Sequence, residues 1–261
     1  MKATTFNANS IRMRLPQVLE WLDTHRPDLL AIQETKVQDH EFPKAEFEAI
    51  GYACAFRGQK SYNGVAILSL EPLTDIRYGF GPDESESTRL LRGVYRGVHV
   101  INTYVPQGRE IDSEHYAGKL EWLRRLRGMF DAELTSDTPA LWMGDLNIAP
   151  DPEDVYAPEE LEGHVCFNRE LTRVFREEVC AFGFEDLFRR FNHGPGHYTF
   201  FDYRIPGAVS RKMGWRIDHI LGTPPMAARA IASRIDLEPR RSKLHKTSDH
   251  TFLVVDFATG A

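Results

Sequence analysis

Two rhythms of apolar residues run along this chain. Short unbroken apolar runs at residues 29–32 and 140–143 read as strands covered on both faces. Apolar residues three and four apart read instead as one-sided helices. Val18, Leu19 and Leu22 predict a helix with Pro16 in its first turn and a stop near Arg26-Pro27. Tyr116, Leu120, Leu123, Leu126 and Phe130 predict a second, over about 114–130. Leu171, Val174, Phe175, Val179 and Phe182 predict a third, ending at Gly183. Further strands are expected at 2–7, 52–56, 64–69, 198–201, 216–221, 228–236 and 251–257, with a hairpin over 94–104 broken near Arg96-Gly97. Residues 79–89 and 151–162 read as acidic loops. Strand, helix, strand over residues 2–32 predicts a parallel or mixed sheet with Asn7 and Glu34 at matching strand ends. No repeat, low-complexity tract or linker interrupts the pattern, so residues 1–261 read as a single α/β domain.

Polar residues gain meaning from where these runs stop. The 140–143 run ends in Gly144-Asp145-Leu146-Asn147 and is closed by Pro150. Side chains two apart on an extended chain share a face, so Asp145 and Asn147 project together. Asp145 can orient or deprotonate water, and Asn147 can donate to a developing oxyanion. Other predicted strand ends carry Asn7, Glu34, Tyr104, Asp218, Asp249 and His250. Oxygen donors of this kind suit a hard cation, for which Glu34, Asn7 and Asp249 are candidates. His250 precedes the last strand, and Asp218 is the candidate carboxylate to orient its ring. His193 and His197, in a Gly-Pro-rich stretch, read as loop residues.

Composition changes this picture little. A hydrophobic share of 42% and a charged share of 27% are those of an ordinary globular chain. No apolar run approaches the ~18 residues of a membrane span, and the N-terminus enters strand-like alternation at once, without a signal peptide. Three scattered cysteines, Cys54, Cys166 and Cys180, argue against a disulfide framework and for a reducing cytoplasm. The net charge of −6 lowers the expectation of a nucleic-acid partner without removing it.

Seven segments together are more specific. They are Phe6-Asn7-Ala8-Asn9-Ser10-Ile11-Arg12, Ile32-Gln33-Glu34-Thr35-Lys36, Tyr104-Val105-Pro106-Gln107-Gly108, Gly144-Asp145-Leu146-Asn147-Ile148-Ala149, Phe200-Phe201-Asp202-Tyr203-Arg204, Trp215-Arg216-Ile217-Asp218 and Ser248-Asp249-His250. Through them the chain resembles, nearly end to end, the exonuclease III family (AP endonuclease family 1) of DNA-repair nucleases within the endonuclease/exonuclease/phosphatase superfamily. The resemblance implies a DNase I-like four-layer sandwich, with two mixed β-sheets packed face to face and flanked by helices. It implies Mg²⁺, with Mn²⁺ as a substitute, held chiefly by Glu34 with Asn7 and Asp249 close by. Asp145 would activate water, Asn147 would hold it or the phosphate, and His250, oriented by Asp218, would stabilise the transition state with Tyr104.

The implied substrate is double-stranded DNA with an abasic site or a 3′ end, acted on by a monomer. The implied activities are 3′–5′ exonuclease, cleavage 5′ to abasic sites and 3′-end cleaning. Phe200, Trp215 and Ile217 would line an apolar pocket for a flipped abasic sugar or a terminal nucleotide. Asn9, Gln107, Arg12, Arg109 and Arg204 would contact substrate, on a basic rim that also takes in Arg14, Arg57, Lys60, Arg211, Lys212 and the 240–246 cluster. The stretch Gly163-His164-Val165-Cys166-Phe167-Asn168-Arg169 lacks a proline common in the family, which points to an altered pocket wall and a shift towards 3′-end trimming. A phosphoesterase acting on a lipid headgroup or inositol phosphate is the alternative within the superfamily, and a non-catalytic scaffold the alternative outside it.

Overall fold

The computed structural model describes residues 1–81 and 86–258, so part of the acidic loop expected at 79–89 lies outside the described residues. In chain order the elements are β1 (Lys2–Asn7), α1 (Ile11–His25), β2 (Leu29–Gln33), α2 (Lys44–Ala49), β3 (Ala53–Arg57), β4 (Val65–Ser69), β5 (Thr74–Tyr78), β6 (Leu90–Tyr95) and β7 (Val98–Tyr104). Then come α3 (Glu114–Glu133), β8 (Ala140–Asp145), β9 (Glu185–Asp186), β10 (Asp218–Gly222), β11 (Ala230–Asp236) and β12 (Phe252–Phe257), with short helical turns between. They build two six-stranded sheets, ordered β11-β12-β1-β2-β4-β3 and β5-β6-β7-β8-β10-β9. Each sheet holds one parallel pair, β1–β2 in the first and β7–β8 in the second.

Strand periodicity makes the layers. In β2, Leu29 and Ala31 turn to the space between the sheets, while Leu30 and Ile32 turn outward under α1 and α2. In β8, Leu141 and Met143 face the opposite sheet, and Ala140 and Trp142 face α3. Both strands are therefore covered on both sides, which is why they read as unbroken apolar runs. Trp21 of α1 stacks on Phe252, which stacks on Phe6, with both centroid spacings 4.1 Å. Burying each such ring contributes about 1.5–3 kcal/mol.

Four expectations change. α1 begins at Ile11, which leaves Pro16 inside the helix. The Ser10 and Ile11 amides bond to the Glu34 and Thr35 carbonyls, so a turn is already pinned upstream of the proline. Residues 198–201 make only isolated bridges, from Phe200 to Trp215 and to His250. The stripe at 171–182 lies on successive α, π and 3₁₀ turns, with Leu171, Val174, Phe175 and Val179 still buried. The edge strands β5 and β9 were not foreseen, because the first is nearly all exposed and the second has two residues. Among the described residues no helix is long and apolar enough to cross a membrane.

Candidate active site

Sheet register gathers the polar strand ends. Tyr104 pairs with Asp145 across β7–β8, and Asp145 pairs with Asp218 across β8–β10, so the three form one row at the end of the second sheet. Asn7 pairs with Gln33 at the matching end of the first sheet, one residue before Glu34. Gly144 lets β7 and β8 close there, since a Cβ at its φ of +141° would lie 2.0 Å from the Thr103 carbonyl oxygen.

Between the two sheet ends, Asn7 Nδ2 donates to Glu34 Oε1 and to Asp145 Oδ2, each at 2.8 Å. Lys36 Nζ lies 2.7 Å from Glu34 Oε2. Asn9 Nδ2 donates to Asp249 Oδ1 at 3.0 Å. His250 Nδ1 lies 2.8 Å from Asp218 Oδ2, and its Nε2 lies 3.8 Å from Asp145 Oδ2. Asn147 donates through its backbone N–H to Asp145 Oδ1 and through Nδ2 to the Val105 carbonyl.

Electrostatics follow from this crowding. Burial, with Asp218 and Glu34 adding negative charge, pushes the Asp145 carboxyl up to about 7 against the pull of His250. Burial alone would lower the His250 imidazolium, but Asp218 and then Asp145 outweigh it and raise it to about 10. Burial likewise opposes the ionised Glu34, yet Lys36 and Asn7 hold that carboxyl below its ordinary value. Tyr104, whose hydroxyl bonds to Glu34, stays a neutral donor because burial and the two carboxylates raise it well above 10.

These groups open on a cleft of about 260 Å³ lined by Glu34, Tyr104, Gln107, Asp145, Asn147, His164, Cys166, Phe200, Asp202, Arg204, Trp215, Ile217, Asp249 and His250. Phe200 leans on the His250 ring at 5.0 Å, and His164 on Trp215 at 4.7 Å. Other expected contacts fall outside the lining. Arg12 pairs with Glu41, the exposed Arg109 has only its amide N–H on Gln107 Oε1, and Asn9 stands behind Asp249. Within the expected rim, Arg14 is buried against the Tyr203 hydroxyl, and Arg240 binds the Phe201 carbonyl and Thr247. Those two hold loops, since the buried Arg14 and the half-buried Arg240 direct Nη donors to neighbouring loop oxygens. Lys60, Arg211, Lys212, Arg241, Lys243 and Lys246 are exposed.

The donor set fits a hard cation. Glu34, Asp145 and Asp249 offer only oxygen, and the buried Asp218 Oδ1 has no hydrogen-bond partner among the described residues. Asp145, Asp218 and His250 also cluster closely enough to suggest a metal group, but the His250 nitrogen nearest Asp218 is committed to that carboxylate. Asn7 turns its N–H side to both carboxylates and reaches a cation only with Oδ1 turned in. Sequence reading gave Lys36, Asp202 and His164 no individual roles. A basic residue two positions after Glu34 was the available signal for the first.

Comparison with known proteins gives the family. The profile of the Endonuclease/Exonuclease/phosphatase family matches residues 4–250. Exodeoxyribonuclease III of Haemophilus influenzae is 32% identical over 269 residues, covering 98% of this chain and 100% of that protein. The structure of an AP endonuclease from Archaeoglobus fulgidus superposes with a TM-score of 0.96 at 45% identity, over 99% of this chain and 100% of that one. The structure of the 3′ phosphatase NExo from Neisseria, bound to a product DNA hairpin, superposes with a TM-score of 0.93 at 36% identity, over 99% and 100% of the two chains. With fold and sequence in agreement, the chain belongs to the exonuclease III family of DNA-repair nucleases, within the endonuclease/exonuclease/phosphatase superfamily.

Proposed function

We propose that this nuclease hydrolyses phosphodiesters at 3′ ends and abasic sites of duplex DNA as a Mg²⁺-dependent monomer, with Mn²⁺ as a substitute. The observation that carries the reading is the meeting of Glu34 and Asn7 from one sheet with Tyr104, Asp145 and Asp218 from the other in a single cleft. Glu34 would be the principal ligand, with Asp249 beside it and Asn7 completing the set if its oxygen were turned in. When bound, the ion withdraws charge from the phosphate oxygens.

The chain's own groups do the rest. Asp145 accepts the proton of the attacking water, and Asn147 holds that water or the phosphate. His250 stays protonated through the neutral range because Asp218 fixes Nδ1, so Nε2–H faces the developing charge. Tyr104 donates its hydroxyl proton to a phosphate oxygen. Phe200, Trp215 and Ile217 cover the sugar and exclude water, with Gln107 and Arg204 at the cleft and Asn9, Arg12 and Arg109 on its approaches.

His164 favours 3′-end processing over abasic-site cleavage, because its ring leans on Trp215 and occupies part of the apolar wall. Parallel assays on a recessed 3′-end duplex and an abasic-site duplex test this. Faster turnover of the 3′ end is expected. Preference for the abasic duplex would reverse the specificity, and cleavage of neither would remove the reading altogether.

A further inference from the structure

α3 carries a charge where its apolar stripe should continue. Lys119 lies between Tyr116 and Leu123 on the buried face and is itself fully buried. Its ammonium forms no ion pair among the described residues and donates instead to three carbonyls: Asn147 at 2.7 Å, Val165 at 2.8 Å and Gln107 at 3.2 Å. Three donors meet three acceptors, which is the condition for tolerating an ammonium away from water. An apolar side chain would remove that burden, so the charge calls for another explanation.

The three carbonyls belong to three segments that reach the cleft separately: the turn after β7, the turn after β8 and the 163–169 loop. Gln107, Asn147 and Cys166, the neighbour of Val165, all line it. Asn147 also has a positive φ of 51°, a left-handed turn conformation that Asn adopts more readily than most non-glycine residues. Its N–H is held by Asp145 Oδ1, its Nδ2 by the Val105 carbonyl and its own carbonyl by Lys119. Its Oδ1 accepts from the Cys166 thiol at 3.9 Å, and a second Nδ2–H has no partner among the described residues.

We propose that Lys119 is a positioning residue for the hydrolytic reaction. It fixes the Asn147 backbone so that the carboxamide is held at the cleft, ties the Gln107 and 163–169 walls to that residue, and places a positive charge behind the phosphate site. This rests on the phosphodiesterase reading above. A wild-type enzyme inert on both DNA substrates sinks that reading, whereas Lys119 variants as active as wild type sink only this one.

The test compares Lys119→Met and Lys119→Gln with Leu123→Ala, a buried apolar position one turn along α3 that has no polar group to offer these carbonyls. Melting temperature, DNA affinity in EDTA and kcat with Mg²⁺ are measured for each. Lys119→Met should lose about 30- to 100-fold in kcat, as expected of a small misplacement of reacting groups, with DNA affinity within about threefold. Leu123→Ala should lose thermal stability yet keep its kcat. Equal loss of kcat in the control, or an unchanged kcat in both Lys119 variants, would overturn the proposal. If Lys119→Met fails to fold, Lys119→Gln decides, and failure of both to fold would assign the residue to architecture alone.

Discussion

Two buried charge clusters sit side by side, two residues apart in sequence, and they are built on opposite principles. Arg216, fully buried, binds Asp154 through Nε and Nη2 and Asp186 through Nη1, while Arg189 closes on Asp154 from outside. His219 bonds onward to the Ile148 carbonyl, behind Asn147. Guanidinium and carboxylate charges balance there. The cluster around Asp218 does not balance, since among the described residues Glu34, Asp145, Asp218 and Asp249 make direct ion pairs only with Lys36 and His250. A balanced cluster holds backbone in place, whereas excess negative charge leaves room for a cation and a phosphate.

Neutralising one acid should sharpen the contrast most. Asp145→Asn is expected to lower DNA cleavage by about 10³-fold or more, because it removes the proton acceptor. Its stability should hold or rise, since a carboxyl pushed up by burial makes the folded state prefer the neutral form. Melting curves in EDTA, run beside the cleavage assay, check both halves. In the balanced cluster the order reverses. Arg216→Met strands Asp154 and Asp186 and should cost about 3–5 kcal/mol in urea unfolding.

A smaller effect concerns acid. Burial works against the ionised Asp186, but Arg216 and His219 outweigh it and hold its carboxyl far below the usual range. Its folded value lies below the unfolded one of about 3.9, so its contribution is complete above that pH and fades as pH falls below it. Unfolding midpoints of Asp186→Asn should therefore fall less steeply than wild type between about pH 4 and 2. Parallel slopes would contradict this.

The sequence carried the site further than the fold's margins. Burial on both faces made β2 and β8 legible as unbroken apolar runs, and the residues that end them were chemically distinctive. Register did the remaining assembly, by setting Tyr104, Asp145 and Asp218 in one row. Residues whose role depends on distant carbonyls could not be read this way. Lys119 was given no role from sequence, although a charge at i+3 from Tyr116 on an apolar stripe was a usable signal. Arg14 and Arg240 looked like a substrate rim because nothing in their neighbours announces burial. Pro16 misplaced the start of α1, since the bonds that begin the helix come from the far side of β2.

The most direct test is the Mg²⁺ requirement for cleavage of a recessed 3′-end duplex by metal-stripped wild type and by Glu34→Gln. Wild type should be silent in EDTA and recover as Mg²⁺ is restored, while Glu34→Gln should need about tenfold more Mg²⁺ or stay silent. Full cleavage by the stripped enzyme, or the same Mg²⁺ requirement in both proteins, would contradict a cation held at Glu34 beside the scissile phosphate.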